Sequence, residues 1–203
     1  MEFIVATHNY KKFSEISRIL KPLGIKALTD AELGIKLSEI AETGQTFEQN
    51  AALKAHAACK QTGLPAIADD SGLEVDALGN APGVHSARYA GENATDSDRI
   101  LKLLAEMAHV PEHDRTARFV SAICCAFPNG DTVTARGECA GRIGYEPIGS
   151  KGFGYDPIFI VPQGRSYAEL TDSEKDAVSH RGNALRLFAV RLQRYLDQQK
   201  KGE

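Results

Sequence analysis

"RTARFVSAICCAFPNGDTVTARGECAGRIG" occupies Arg115 to Gly144. Two long runs of β-branched, aromatic and small apolar residues flank the tetrapeptide "PNGD". Both runs read as strands, and Asn129-Gly130 is the dipeptide favoured in a two-residue hairpin turn. A tight turn joins only antiparallel neighbours. Cys124 and Cys125 are adjacent within the first run, so their side chains project to opposite faces of that strand.

Upstream, the pattern is of another kind. "EFIVAT" (Glu2–Thr7) reads as a strand. Lys11 to Leu20 then carries Phe13, Ile16, Ile19 and Leu20 at helical spacing, ended by Pro22 and Gly24. Thr46 with Gln49 forms a capping-box signature for a second helix, which stops at Gly63. A short apolar run, Leu64 to Ala68, follows as a strand and ends at Asp69 and Asp70. Thr95 and Asp98 open a third helix with Ile100, Leu101, Leu103, Leu104 and Met107 as its apolar face. Downstream of the hairpin, "GSKGFGYDP" is a glycine-rich loop and "IFIVP" a short strand. Thr171 with Glu174 begins a last helical region with Leu185, Leu187, Phe188, Val190, Leu192 and Leu196 on its core face, and Gly182 is the residue to divide it. Strands alternating with helices, followed by a strand-rich block, predict an α/β fold with an elongated mixed central sheet flanked by helices. No repeat or linker divides residues 1–203, which read as a single domain.

The chain has 203 residues, 42% of them hydrophobic, enough for a substantial core. Its formal net charge of -3 argues against a nucleic-acid polymer or an anionic membrane as partner. The N-terminus lacks a basic, then apolar, secretion signal, and the apolar run Phe119–Pro128 is about half of a membrane span. Four cysteines without a Cys-x-x-Cys pair read as reduced thiols of a cytoplasmic protein.

Five segments carry candidate chemistry. In "THNYKK" (Thr7, His8, Asn9, Tyr10, Lys11, Lys12), a strand runs into a helix start, which offers backbone N–H groups, short polar side chains and a lysine charge to an anion. An ordinary helix cap with a solvated lysine would look the same. In "ETGQTFEQNAALKA", Glu42 is a candidate metal ligand or a surface carboxylate, and Glu48, Asn50 and Lys54 face either a site or solvent. Asp69 and Asp70 at a strand end form either a solvated turn or the acidic side of a divalent-cation site beside phosphate. In "SKGFGYDP", Gly152 and Gly154 let backbone approach a ligand, and Phe153 offers a face to a planar base, with Tyr155 and Asp156 adjacent. "EKDAVSHRGNAL" adds Lys175, His180 and Arg181. The other histidines read as surface or packing residues.

Taken in order, "ATHNYKKFSEI", "ETGQTFEQNAALKAHAA", "PAIADDSGLEVDALGNAPGVHSARYAGENATD", "GFGYDPIFIVP" and "AELTDSEKDAVSHRGNAL" resemble the Ham1-like family of noncanonical purine nucleoside triphosphate pyrophosphatases, the XTP/dITP (inosine triphosphate) diphosphatases. The resemblance implies two lobes with an active-site cleft between them, a homodimer, and Mg²⁺-dependent hydrolysis of ITP, dITP and XTP to the monophosphate and pyrophosphate, removing deaminated purines from the nucleotide pool. It implies that Thr7 to Lys12 hold the triphosphate and that Glu42 and Asp70 bind Mg²⁺. Asp70 also accepts the proton of the attacking water, with Asp69 supporting the acidic cluster. Ser71 contacts substrate; Phe153, Gly154, Tyr155 and Asp156 form part of the nucleoside pocket. Lys175 reaches phosphate or sugar oxygens, and His180 with Arg181 addresses the base. His8 stands where the family usually has glycine, and Ala41 precedes Glu42 where some relatives have a second acid. The competing readings are a nucleotide-binding sensor without turnover and a pyrophosphatase of modified pyrimidine nucleotides.

Overall fold

The computed structural model of the chain describes residues 1–202; Glu203, the last residue of the expected domain, lies outside the described residues. One six-stranded sheet has the order β2-β1-β3-β4-β5-β6. Its strands are β1 (Glu2–Val5), β2 (Lys26–Leu28), β3 (Ala66–Val75), β4 (Thr116–Ala126), β5 (Thr132–Ile143) and β6 (Phe159–Ile160). The helices are α1 (Tyr10–Leu20), α2 (Phe47–Thr62), α3 (Asp96–Glu106), α4 (Asp172–Val178) and α5 (His180–Gly202). β1 pairs in parallel with both β2 and β3, as helical crossovers demand, whereas β6 pairs antiparallel with β5. The sheet is therefore mixed, as the change of pattern along the chain predicts.

The hairpin after β4 forms, but with a longer turn than Asn129-Gly130 alone. The Phe127 amide donates to the Asp131 carbonyl and the Gly130 amide to the Phe127 carbonyl, so Pro128, Asn129 and Gly130 make a three-residue loop. A two-residue loop would pair Pro128 with Asp131, and proline has no N–H to give. Gly130 takes the left-handed conformation (φ 91°) that this turn needs at its last position.

Helix ends and faces follow the sequence signals with four corrections. Thr95–Asp98 and Thr171–Glu174 both close reciprocal capping boxes. Thr46 also caps α2, but Gln49 turns its side-chain oxygen to the Gln45 amide instead of completing the box. Gly63 ends α2 in the left-handed conformation. Leu101, expected on the apolar face of α3, is exposed, because the buried stripe runs through Ile100 and Leu103. The last helical region divides at Ser179 (ψ 154°) and not at Gly182, which sits inside the first turn of α5. Leu187 and Val190 lie exposed on α5, while Leu185, Phe188 and Leu192 are buried.

The chain forms two compact units, one of residues 1–70, 121–137 and 181–203, the other of residues 71–120 and 138–180. Each has its own apolar core. In the first, Phe3 and Val5 of β1 pack with Ile16 and Leu20 of α1, Ile67 of β3, and Leu185, Phe188 and Leu192 of α5. In the second, Leu73, Leu103, Phe119, Ile143, Tyr155 and Phe159 form the centre. All four cysteines are buried free thiols. Cys124 and Cys125 are both covered although they face opposite ways, since β4 is buried on both sides over most of its length.

The second unit also buries a guanidinium without a carboxylate among its hydrogen-bond partners. Arg115, 1% exposed, donates from Nε to the Ile143 carbonyl, from Nη1 to those of Met107 and Val110, and from Nη2 to that of Gly144. It thereby closes the chain just after α3 onto the end of β5, and Tyr145 covers its face at 4.3 Å. Removing the fork strands several buried carbonyls, each costing roughly 1–3 kcal/mol. Arg115→Met is expected to lower the free energy of unfolding by about 3 kcal/mol or more, measured by urea denaturation. Arg115→Lys should recover only part, because an ammonium cannot reproduce the planar fork.

Candidate active site

The adjacent aspartates lie inside a strand and not beyond its end. β3 runs ten residues through both of them, Ser71 and Gly72. Asp69 is 2% exposed and Asp70 5%. Successive side chains of a strand point to opposite faces, so the two carboxylates are directed apart and each meets its own cations. The solvated-turn reading is thus replaced by two buried electrostatic environments.

Asp69 belongs to a lattice of ion pairs. Its Oδ2 lies 2.9 Å from Lys12 Nζ and 3.2 Å from Arg181 Nη2, and its Oδ1 accepts a hydrogen bond of 2.5 Å from Ser121 Oγ. Arg181 also pairs with Glu15 of α1. Burial works against ionisation of Asp69, but the charges of Arg181 and Lys12 outweigh it and hold its carboxyl well below the usual range. Burial likewise opposes the Arg181 charge, and Asp69 with Glu15 raises its proton affinity overall. Arg181, assigned to the base by resemblance, is turned in this structure to Asp69 and Glu15. A buried guanidinium requires such partners.

Asp70 belongs to a second group. Lys54 Nζ lies 2.8 Å from Asp70 Oδ1, 2.8 Å from Glu42 Oε1 and 2.9 Å from the backbone oxygen of Asp69. Asn50 Nδ2 donates to Asp70 Oδ2 at 3.3 Å. Asn50 and Lys54 are four residues apart on α2 and so share one face of it. Gly44 holds Asn50 from the other side: its amide donates 2.8 Å to Asn50 Oδ1, and a Cβ there would stand 2.6 Å from that oxygen. Burial pushes the Asp70 carboxyl up from its ordinary value, against the pull of Lys54. Glu42 feels burial too, but Lys54 prevails there and the net shift is downward.

The first anion segment is built as a capped helix start. Asn9 Oδ1 accepts from the amides of Lys11 and Lys12, and Thr7 Oγ1 accepts from the Asn9 amide. Those amides are engaged by side chains, so any anion there would meet the lysine charges and the dipole more than bare N–H groups. His8, Tyr10 and Lys11 are exposed.

In the second unit, Asp156 and Lys175 form a buried ion pair at 2.8 Å. The same Asp156 Oδ2 accepts from the Phe153 amide at 2.9 Å, and Lys175 Nζ lies 4.9 Å from the centre of the Phe153 ring. Gly152 permits this turn: its φ is 75°, and a Cβ would come 2.0 Å from Asp156 Oδ2. The Gly154 amide donates to Asp96 at 2.8 Å. Tyr155 is buried in the core with its hydroxyl on the Ser86 carbonyl at 3.0 Å. His180 is 4% exposed and lies nearly parallel to Phe119, ring centres 4.8 Å apart, with Tyr167 also close to parallel at 6.3 Å. Ser71 is half-buried on β3.

Lys54, Asn50, Glu15 and Ser121 are the residues whose part in these clusters sequence alone does not single out. Helical spacing places Asn50 with Lys54, but nothing local says which way that face looks.

The residues fit a divalent cation that prefers oxygen. Glu42 and Asp70 already converge on one cationic atom with two carboxylate oxygens. Among the described residues no group of three or more His, Cys, Asp or Glu side chains forms a metal cage. Two carboxylate oxygens suit an ion that completes its shell with water and phosphate. Among the described residues no helix is long and apolar enough to cross a membrane.

Comparison with known proteins identifies the family. The Ham1 family profile matches residues 3–191. A dITP/XTP pyrophosphatase of Exiguobacterium sibiricum is 47% identical over 199 residues, covering 97% of this chain and 99% of its own. The dITP/XTP pyrophosphatase of Bacillus subtilis is 47% identical over 193 residues, covering 95% and 97%. The solved structure of a HAM1 protein from Coxiella burnetii superposes with a TM-score of 0.86 at 45% identity, covering 96% of this chain and 99% of that one. With a family match over nearly its whole length and relatives of this closeness, the chain belongs to the Ham1 family.

Proposed function

We propose that this chain is a dITP/XTP pyrophosphatase that hydrolyses noncanonical purine nucleoside triphosphates, ITP included, to the monophosphate and pyrophosphate. The observation that carries the reading is the convergence of Glu42 and Asp70 on a single cation. It is supported by relatives that bear this name at nearly half identity over almost the full chain. Glu42 and Asp70 would hold Mg²⁺, which when bound neutralises phosphate charge and orients water.

The chain's own residues do the rest. Lys12 and Lys54 supply positive charge to phosphate oxygens, with Thr7 to Lys11 shaping the helix start beside them. Asp70 orients the attacking water and takes its proton. The water oxygen forms its bond to phosphorus as the bond to the bridging oxygen breaks, and pyrophosphate leaves. No covalent enzyme intermediate is needed. Phe153 offers a ring to the purine, and Asp156 with Lys175 fixes the loop that carries it. His180 supplies a donor to the O6 acceptor of hypoxanthine or xanthine. Adenine presents a donor there, and one unmatched buried polar group costs about 1–3 kcal/mol. The enzyme would act as a homodimer in the cytoplasm, where nucleotide pools turn over.

The test is Mg²⁺-dependent pyrophosphate release from ITP, dITP, XTP, GTP, ATP and modified pyrimidine triphosphates. Release from the deaminated purines is expected to exceed that from ATP by at least tenfold, about one such polar mismatch, and to exceed that from GTP as well, whose O6 is the same acceptor and which only its 2-amino group sets apart. Equal rates across the purines would defeat the proposal. Binding without release would favour a sensor, and release confined to modified pyrimidines would reassign the substrate.

A further inference from the structure

The ammonium of Lys54 stands where a cation held by Glu42 and Asp70 would stand. It contacts one oxygen of each carboxylate and a backbone carbonyl, all within 2.9 Å. Its side chain is 16% exposed, so it is enclosed beside Asp70 and not stretched through solvent. The geometry points to Lys54 as a resident counter-ion, which keeps the two carboxylates converged before any metal arrives and yields its place when one does. This rests on the reading of Glu42 and Asp70 as metal ligands.

Charge accounts for both halves of the claim. Two carboxylates sharing one site repel unless a cation lies between them. Lys54 removes that repulsion, so the site is assembled in advance. The same ammonium opposes a divalent ion at close range, and the ion must displace it. Lys12, Lys54 and Arg181 face Glu15, Glu42, Asp69 and Asp70 in these two clusters, leaving one negative charge among the named groups. A divalent ion would reverse that sign and turn the clusters attractive to a polyphosphate. The displaced ammonium, on its flexible stem, then has phosphate oxygens as its new partners. Lys54 is in this sense a positioning residue: it acts first on the ligands and only afterwards on the substrate.

The experiment measures Mn²⁺ binding without nucleotide, by calorimetry and by electron paramagnetic resonance, together with thermal melting. Lys54→Met is expected to bind Mn²⁺ at least about tenfold more tightly than the unaltered protein, because the competing charge is gone. Without metal it should melt lower, and Mn²⁺ should restore more of its stability than it adds to the unaltered protein. Lys54→Met combined with Glu42→Gln should regain part of the metal-free stability lost by Lys54→Met, since the repulsion between the two carboxylates is then gone, and this variant guards against a Lys54→Met protein that folds poorly. Unchanged or weaker Mn²⁺ binding in Lys54→Met, with normal binding in the unaltered protein, overturns the counter-ion role and leaves the metal site standing. Binding that is indifferent to Glu42→Gln and Asp70→Asn in the unaltered background removes the metal site itself, and the inference with it.

Discussion

Asp70→Asn is expected to cut kcat by about a hundred- to ten-thousand-fold, the range set by a positioned proton acceptor. The amide keeps the shape of the carboxylate and can still accept from Asn50 or Lys54, so the fold survives. It cannot take a proton from water, and it binds a cation more weakly. Three observations favour Asp70 over Asp69 for this proposed role. Asp70 is the member of the pair that shares a cation with a second carboxylate. Its proton affinity is raised by burial, whereas that of Asp69 is driven far down. Its hydrogen-bond donors include Lys54 and Asn50, while Asp69 is gripped by Lys12, Arg181 and Ser121. Steady-state kinetics on dITP with a parallel melting curve decides the matter. A variant with undiminished kcat would take Asp70 out of the reaction.

Asp69→Ala is expected to produce the largest loss of stability, about 3–5 kcal/mol, because it leaves a buried guanidinium and an adjacent ammonium facing an empty space. For a chain of this size that is roughly 10 °C in melting temperature. The pH dependence has a definite sign. The folded-state affinity of Asp69 for a proton lies well below the unfolded value of about 3.9. Its contribution is therefore complete above about pH 4 and is lost as pH falls through the folded-state value. The gap in melting temperature between the unaltered protein and Asp69→Ala should be widest near neutrality and narrow below about pH 4. A gap that stays constant down to pH 2 would show that the ionised carboxylate is not what stabilises. Adding Arg181→Met to Asp69→Ala should recover part of the loss, since the stranded charge goes with it.

Much of the architecture was legible because its signals are local. Asn129-Gly130 announced the hairpin, Thr95-Asp98 and Thr171-Glu174 announced helix starts, and Gly63 announced a helix end. What was not legible depends on partners remote in sequence. Pro128 lengthens the turn because of the hydrogen bond it cannot make across the hairpin. The chain through Asp69 and Asp70 remains a buried strand because distant cations bring charge to it. Lys12 comes from α1, Lys54 lies 16 residues before Asp70, and Arg181 lies 112 residues after Asp69. No window around "ADDSG" contains that information, and a solvated turn was the natural alternative. The pairing of Arg181 was out of sight for the same reason: its partner Glu15 lies 166 residues away. Lys54 was undecided because a helical lysine looks alike whether it meets solvent or two carboxylates.

The extended geometry of β3 has a consequence for how this protein can vary. Odd and even positions along it answer to different neighbours, so the two aspartates are distinguished by parity and not by side-chain chemistry. A single-residue insertion or deletion upstream in that strand would leave the composition almost untouched yet exchange the roles of the acids, handing the catalyst's post to the scaffold's anchor. Lineages of this protein should therefore tolerate length changes in the loops around Ala66–Val75 far more readily than within it.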